Sequence, residues 1–380
     1  MTAPGGLRPR LVKRLLPSRR MRVAVRLIAL LSAFAVAGIF LQATGRGAGP
    51  VYRAMWTGSF GSPYGQAQTI LAAIPLIFTA LAVAVAFRML LWNIGAEGQF
   101  YLGAFGATAV AYAAPDWPRP ILLGAMVLGG LIGGALWGLI PGALRAFFGT
   151  NEIVPTLLLN YVAILLVDYM VNGPWTDPAT LGFPLGKPFS ESAILPLVGN
   201  TAIHAGLYLA LAAALVVSLV LSRTAWGYKI KVIGANTRAA SYAGFSIPRN
   251  VVAVMLLSGA LAGLGGMVEV SGVVHKIQAN ISPGFGYTGI IVATLARFSP
   301  LYIVPMAVLF GALVVSSVEL QTLGLPSDIV LMLQGVILFF ALAGELFVNY
   351  RLVWRAGAVS NRPSTPASAS EPAPDLEPAG

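Results

Sequence analysis

The chain has 380 residues, of which 57% are hydrophobic and only 10% charged, against about 25% charged in an ordinary soluble domain. That much apolar surface excludes a water-facing fold and points to a bilayer, whose interior is itself apolar. The absence of cysteine excludes disulfide frameworks, thiolate metal sites and cysteine nucleophiles, and the net charge of +11 raises the question of nucleic acid.

A membrane-spanning helix needs about 20 apolar residues. Residues 1–22 read as a basic cytoplasmic arm, and 24–43 as the first span. The run is too long for a secretory signal, and Leu41-Gln42-Ala43-Thr44-Gly45 makes a poor cleavage site. Further spans follow at 66–87, 89–113, 120–140, 152–171, 203–221, 250–272, 285–296, 300–318 and 329–349. The short stretch 285–296 lies between Pro283-Gly284 and Ser299-Pro300, where a re-entrant or broken element is expected. Residues 351–380 are rich in Pro, Ala and Ser and cannot bury a core, so a disordered cytoplasmic tail is expected there.

The basic residues fix an orientation. With the N-terminus inside and the spans alternating, only Arg46, Arg53, Arg119, Lys187 and Lys276 of the 24 Lys and Arg fall outside. The charge therefore reads as topology and contact with anionic lipid, with no nucleic-acid patch. The expected fold is an all-α polytopic transmembrane bundle of about ten spans occupying 23–350. Both termini are placed in the cytoplasm.

Polar residues inside spans are the functional candidates, because burying them is costly. Glu97 stands in Asn93-Ile94-Gly95-Ala96-Glu97-Gly98-Gln99, where two glycines weaken the helix. Asn93, Glu97 and Gln99 then line a hydrated cavity, or else Glu97 bonds neighbouring helix amides and only fixes a kink. The segment Asn280 to Gly286 interrupts the second half in the same way, which leaves room for an inverted repeat with a site between the halves. Phe285 and Tyr287 beside it suit stacking on a flat ring or sugar face, or anchoring in lipid. Glu152 is placed to cap the fifth span or to act at an inner gate, and Asp168 and Glu269 lie near outer helix ends. Gly259 and Gly263 have the spacing of a close helix crossing. With His204 and His275 the only histidines, no metal cluster is expected, and no cofactor is implied.

The longest cytoplasmic connection, 222–250, contains a capped two-turn helix. Asn236 suits the N-cap, Gly244 the left-handed position after the last turn, and Pro248 prevents resumption. So short a helix needs a surface to pack on. Ala239, Ala240 and Ala243 offer a smooth face, and Tyr242 a large anchor.

The stretch Gly234-Ala235-Asn236-Thr237-Arg238-Ala239-Ala240-Ser241-Tyr242-Ala243-Gly244 resembles the coupling segment of ABC-type import permeases of the branched-chain amino acid and simple-sugar superfamily. Three other stretches resemble its nucleoside and simple-sugar branch: Asn93 to Gln99, Ile281 to Ile290, and Asn151 to Tyr161, which includes Asn160. The resemblance covers about residues 65–350. It implies a permease translocating nucleosides or a related sugar-like solute by alternating access in a bacterial inner membrane. It also implies a cytoplasmic ABC ATPase docked on Asn236, Thr237, Arg238, Ala239, Ala240, Tyr242, Ala243 and Gly244. A second permease subunit, alike or different, and an extracytoplasmic substrate-binding lipoprotein complete the implied assembly. The chain has no Gly-x-x-x-x-Gly-Lys-Ser/Thr loop of its own, so ATP hydrolysis is expected on a separate subunit. Permeases for a pentose or a branched-chain amino acid, and an autonomous ion-driven carrier, are the alternatives.

Overall fold

A computed structural model of the protein describes residues 7–13, 19–43, 45, 47–322, 324–326 and 328–356. The chain falls into two compact units, residues 30–341 and the two chain ends, 1–29 with 342–380. The disorder expected for the tail falls, beyond residue 356, outside the described residues.

The larger unit is helical throughout its regular structure. After α1 (Arg19–Ala43) come α2 (Ala48–Phe60), α3 (Pro63–Phe87), α4 (Ala96–Ala113), α5 (Arg119–Phe148) and α6 (Ile153–Asn172). Then follow α7 (Gly206–Arg223), α8 (Ala225–Ala235), α9 (Thr237–Tyr242), α10 (Ile247–Glu269), α11 (Phe285–Leu295), α12 (Pro300–Thr322) and α13 (Asp328–Asn349). Among the described residues, six helices are long and apolar enough to cross a membrane: α3, α5, α6, α7, α12 and α10 with its π-helical extension Val270–Val274.

The centre is α3. Ser62 caps it by accepting the Gly65 N–H at 3.0 Å, and Pro63 opens it. From Ala73 to Ala86 every residue is buried, so the helix is apolar all round and packs on α10, α11 and α12. Beside it, α4, α5 and α10 form a tight triple contact. A methyl group at Gly134 would strike the Gly259 carbonyl, and one at Gly103 would strike the Gly263 backbone. The Gly259 and Gly263 spacing is thus used inside the chain, where it lets helix backbones touch.

Two elements differ from the sequence expectation. Residues 44–65 contain α2, a helix whose Val51, Met55 and Ser59 recur every fourth residue and are buried. The span expected at 89–113 begins as a helix only at Ala96. Residues 88–95 are irregular, with Leu90 at φ 56°, because Asn93 and Gly95 favour turn geometry over helix.

In the unit of chain ends, Leu7–Lys13 pairs antiparallel with Tyr350–Ala356, Leu7 opposite Ala356 and Lys13 opposite Tyr350. The expected all-helical architecture left out this ribbon, and the tail expected to be disordered from 351 is strand as far as Ala356; Pro9 disfavours helix in the residue before it. In the same unit, Gly344 lets α13 approach Ala29 of α1 closely.

Candidate functional site: a junction of two broken helices

Two helices begin in the middle of the larger unit, and their N-termini meet. Thr79 of α3 donates to the Phe285 carbonyl at 3.0 Å, fixing the start of α11 eight residues before the end of α3. That is about 12 Å along the helix axis. From there α11 runs beside α3 until Phe298, just beyond it, stacks on Phe87 with ring centroids 3.8 Å apart. The start of α4 abuts the same point, since a methyl group at Gly286 would collide with the Glu97 backbone. Only glycine fits there.

Glu97 closes the junction. It lies in the first turn of α4, and its Oε2 accepts the Gly286 N–H in the first turn of α11. One carboxylate therefore serves two helix N-termini, where unpaired amides favour negative charge. Ser282 supports it. Its hydroxyl oxygen accepts the Gly284 and Phe285 N–H groups at 3.1 and 2.8 Å, and the hydroxyl also hydrogen-bonds Glu97.

The irregular segment before α4 is held from two helices. On α6, Glu152, Thr156 and Asn160 recur every fourth residue and so share one face. Glu152 accepts the Trp92 N–H at 3.1 Å and pairs with Arg145 at 3.4 Å. Thr156 lies against Gly95. Asn160 accepts the Gly98 N–H at 2.8 Å and donates to the Ile94 carbonyl at 2.9 Å and the Tyr287 hydroxyl at 3.2 Å. From α10, Ser258 accepts from Asn93 at 2.7 Å and donates to the Ala82 carbonyl at 2.7 Å, while Asn93 and Gln99 exchange two side-chain bonds. The buried polar groups are thus paired with one another, as a low-dielectric interior demands.

The structure therefore brings all six expected pathway residues, Asn93, Glu97, Gln99, Asn160, Phe285 and Tyr287, to one place. They are not equivalent. Glu97 is 2% exposed, and Asn93, Gln99 and Asn160 are equally buried. Phe285 packs inward, its ring 5.8 Å from Phe100. Tyr287 alone of the six reaches the surface, at 37% exposure. Ser258 and Ser282 were missed. A lone serine in the apolar run of α10 was the available signal for the first.

The expected coupling segment is an exposed helix. Asn236 caps α9 by accepting the Ala239 N–H at 3.0 Å, and Gly244 follows it at φ 77°. Tyr242 is 93% exposed, and Asn236, Thr237, Arg238, Ala239, Ala243 and Gly244 are exposed as well. Ala240 differs from the expected outward face: it is fully buried, and α9 packs on α8 and α10. A helix of two turns cannot stand alone, so one of its small residues serves the chain's own packing.

At the other end of α10, the loop after α6 is knitted to the π-helical turn. Leu195 N–H donates to the Ser271 carbonyl at 3.0 Å and Phe189 N–H to the His275 carbonyl at 2.9 Å. His204 Nδ1 accepts the Gly206 N–H at 3.1 Å; burial first, then His275, pushes its pKa down to about 4. Among the described residues no three His, Asp or Glu gather as for a metal ion.

A bundle of apolar helices, two of them starting at a buried polar junction, defines a polytopic membrane protein of the transporter kind. Comparison with known proteins fixes the family: residues 66–342 match the branched-chain amino acid transport system permease component, and the chain belongs to it. It is 35% identical to a glucose ABC transporter permease of Haloferax volcanii, over 86% of this chain and 88% of that one. It is 32% identical to a nucleoside ABC transporter permease of Lactococcus lactis subsp. cremoris, over 85% of this chain and 91% of that one. A guanosine ABC transporter permease of Bacillus subtilis is also 32% identical, over 85% and 93%.

Proposed function

We propose that this chain is the membrane-spanning subunit of an ATP-driven importer that moves nucleosides or a related sugar-like solute by alternating access. The observation that carries the reading is the convergence of three segments distant in sequence, 93–99, 151–161 and 281–290, on one junction of opposed helix starts. Broken helices at membrane depth are tolerated where they are buried in protein or line a cavity. The opposed directions of α4 and α11 support an inverted repeat, with the junction at its centre. Asn93, Glu97, Gln99, Asn160 and Phe285 hold the junction together, and Tyr287 meets the solute.

On this reading the chain crosses a bacterial inner membrane about ten times, α4 and α11 being incomplete crossings completed by irregular chain. The pairing of residues 7–13 with 350–356 supports both termini on one face, the cytoplasmic one. Residues 1–22 form the arm, 23–350 the permease domain and 351–380 the tail. A second permease subunit and an extracytoplasmic binding lipoprotein complete the assembly. The ATPase docks on α9, its contact formed by Tyr242 with Ala239, Ala243 and Arg238, while Ala240 anchors the helix from behind.

The test is co-purification together with uptake. Tyr242→Ala removes an exposed ring and touches no internal contact, so the variant is expected to fold and insert normally. Bound ATPase and guanosine uptake should both fall about tenfold, which corresponds to about 1.4 kcal/mol of docking energy. Normal uptake by Tyr242→Ala, or uptake that survives without any ATPase, would favour an autonomous carrier.

A further inference from the structure

The junction is buried, yet one side of it carries two tyrosines at the surface. Tyr161 on α6 is 59% exposed and Tyr287 on α11 is 37% exposed. They lie within electrostatic reach of one another, and the Asn160 amide holds the Tyr287 hydroxyl at 3.2 Å. Tyr161 follows Asn160 directly on α6.

Their depth is what matters. Asn160 bonds the start of α4, and Tyr287 follows the residue that meets Glu97, so both rings stand at the level of the two helix starts. That level is about 12 Å from the end of α3, well inside a hydrocarbon core about 30 Å thick. Tyrosines facing lipid collect at the two interfaces, where the phenol hydroxyl meets water. At mid-depth a hydroxyl facing hydrocarbon would leave its proton without an acceptor, at a cost. Tyr169, two turns further along α6 and 67% exposed, sits where an interfacial tyrosine belongs. Tyr161 does not.

We infer that Tyr161 and Tyr287 form a wetted aromatic wall at mid-membrane, on which a solute with a planar heteroaromatic ring stacks as it passes. The inference rests on the importer reading above and names the part of the solute recognised at this site. Each ring offers a flat face of the kind that bases stack on without regard to their hydrogen-bonding pattern. Asn160 fixes the Tyr287 ring, so little side-chain freedom is lost on contact.

The chain has no cysteine, so a single introduced thiol reports alone on this subunit. In the assembled complex in vesicles, Tyr161→Cys and Tyr287→Cys should react with a charged, membrane-impermeant methanethiosulfonate. Leu128→Cys, exposed on α5, should not react. Excess guanosine should slow modification at 161 and 287 about tenfold, and glucose at the same concentration should not. Guanosine flux at saturation should fall about tenfold in Tyr161→Ala and Tyr287→Ala, and by clearly less in Tyr161→Phe and Tyr287→Phe, which keep the stacking face but, at 287, lose the bond from Asn160. Thiols at 161 and 287 no more reactive than at 128, whether through lipid or through a second permease chain, would overturn the wall. So would full guanosine flux in both Ala variants. A wild-type complex that moves neither guanosine nor glucose would sink the importer's solute assignment instead, and the thiol pattern would still decide whether the wall is wet.

Discussion

Glu97 is the residue on which the two readings of the sequence turn, and a pair of substitutions tells them apart. Its carboxylate accepts an amide of α11 and stands in the first turn of α4, so it ties helices together at a buried place. Glu97→Gln keeps an acceptor of the same shape, whereas Glu97→Ala leaves the Gly286 amide unpaired. A hydrogen bond to a charged group is worth about 1.5–3 kcal/mol. Thermal unfolding of the purified protein should therefore show Glu97→Ala destabilised by about that amount and Glu97→Gln by clearly less. Equal losses in the two variants would mean that the charge matters and the bond does not. A carboxyl flanked by glycines in an apolar run is visible in any reading of the chain. Its partner is not, because Gly286 lies 189 residues away and contributes only a backbone amide. Ala240 shows the same limit: alternating small residues reveal a close contact without revealing which side makes it.

At the scale of helices, close backbone packing decides what can change. Gly134 of α5 faces Gly259 of α10 with no room for a methyl group, whereas Gly124, on the same helix, has open space around it. Gly134→Val should separate α5 from α10 and lower stability by at least about 3 kcal/mol, the upper range of overpacking. Gly124→Ala should be neutral or slightly stabilising, since it relieves a helix of a poor former. Detergent-solubilised unfolding curves of the two variants compare them directly. Long apolar helices were legible because hydropathy alone specifies them: α6 and α12 lie within a few residues of expectation. The glycines beside Glu97 signalled a weak helix, but the start of α4 at Ala96 was not legible, since it depends on bonds from α6 and α10 to the segment before it. The helix α2 was overlooked although its buried residues recur at helical spacing, because it is too short to read as a crossing.

For the molecule as a whole, the basic residues make the sharpest claim. Reporter fusions after Arg22 and after Arg362 should both read as cytoplasmic. Opposite readings would require an odd number of crossings and would remove α11 from the count. The strand pairing joins residues 7–13 to 350–356, and the fusions test whether both segments lie on the cytoplasmic side.

The meeting of two helix starts at Glu97 also has an electrical meaning. Each helix N-terminus acts as roughly half a positive charge, so the two together roughly balance one carboxylate. With the carboxylate in place the junction itself is then close to neutral and offers no standing attraction to a phosphate group. A phosphorylated solute would find the positive helix ends already occupied.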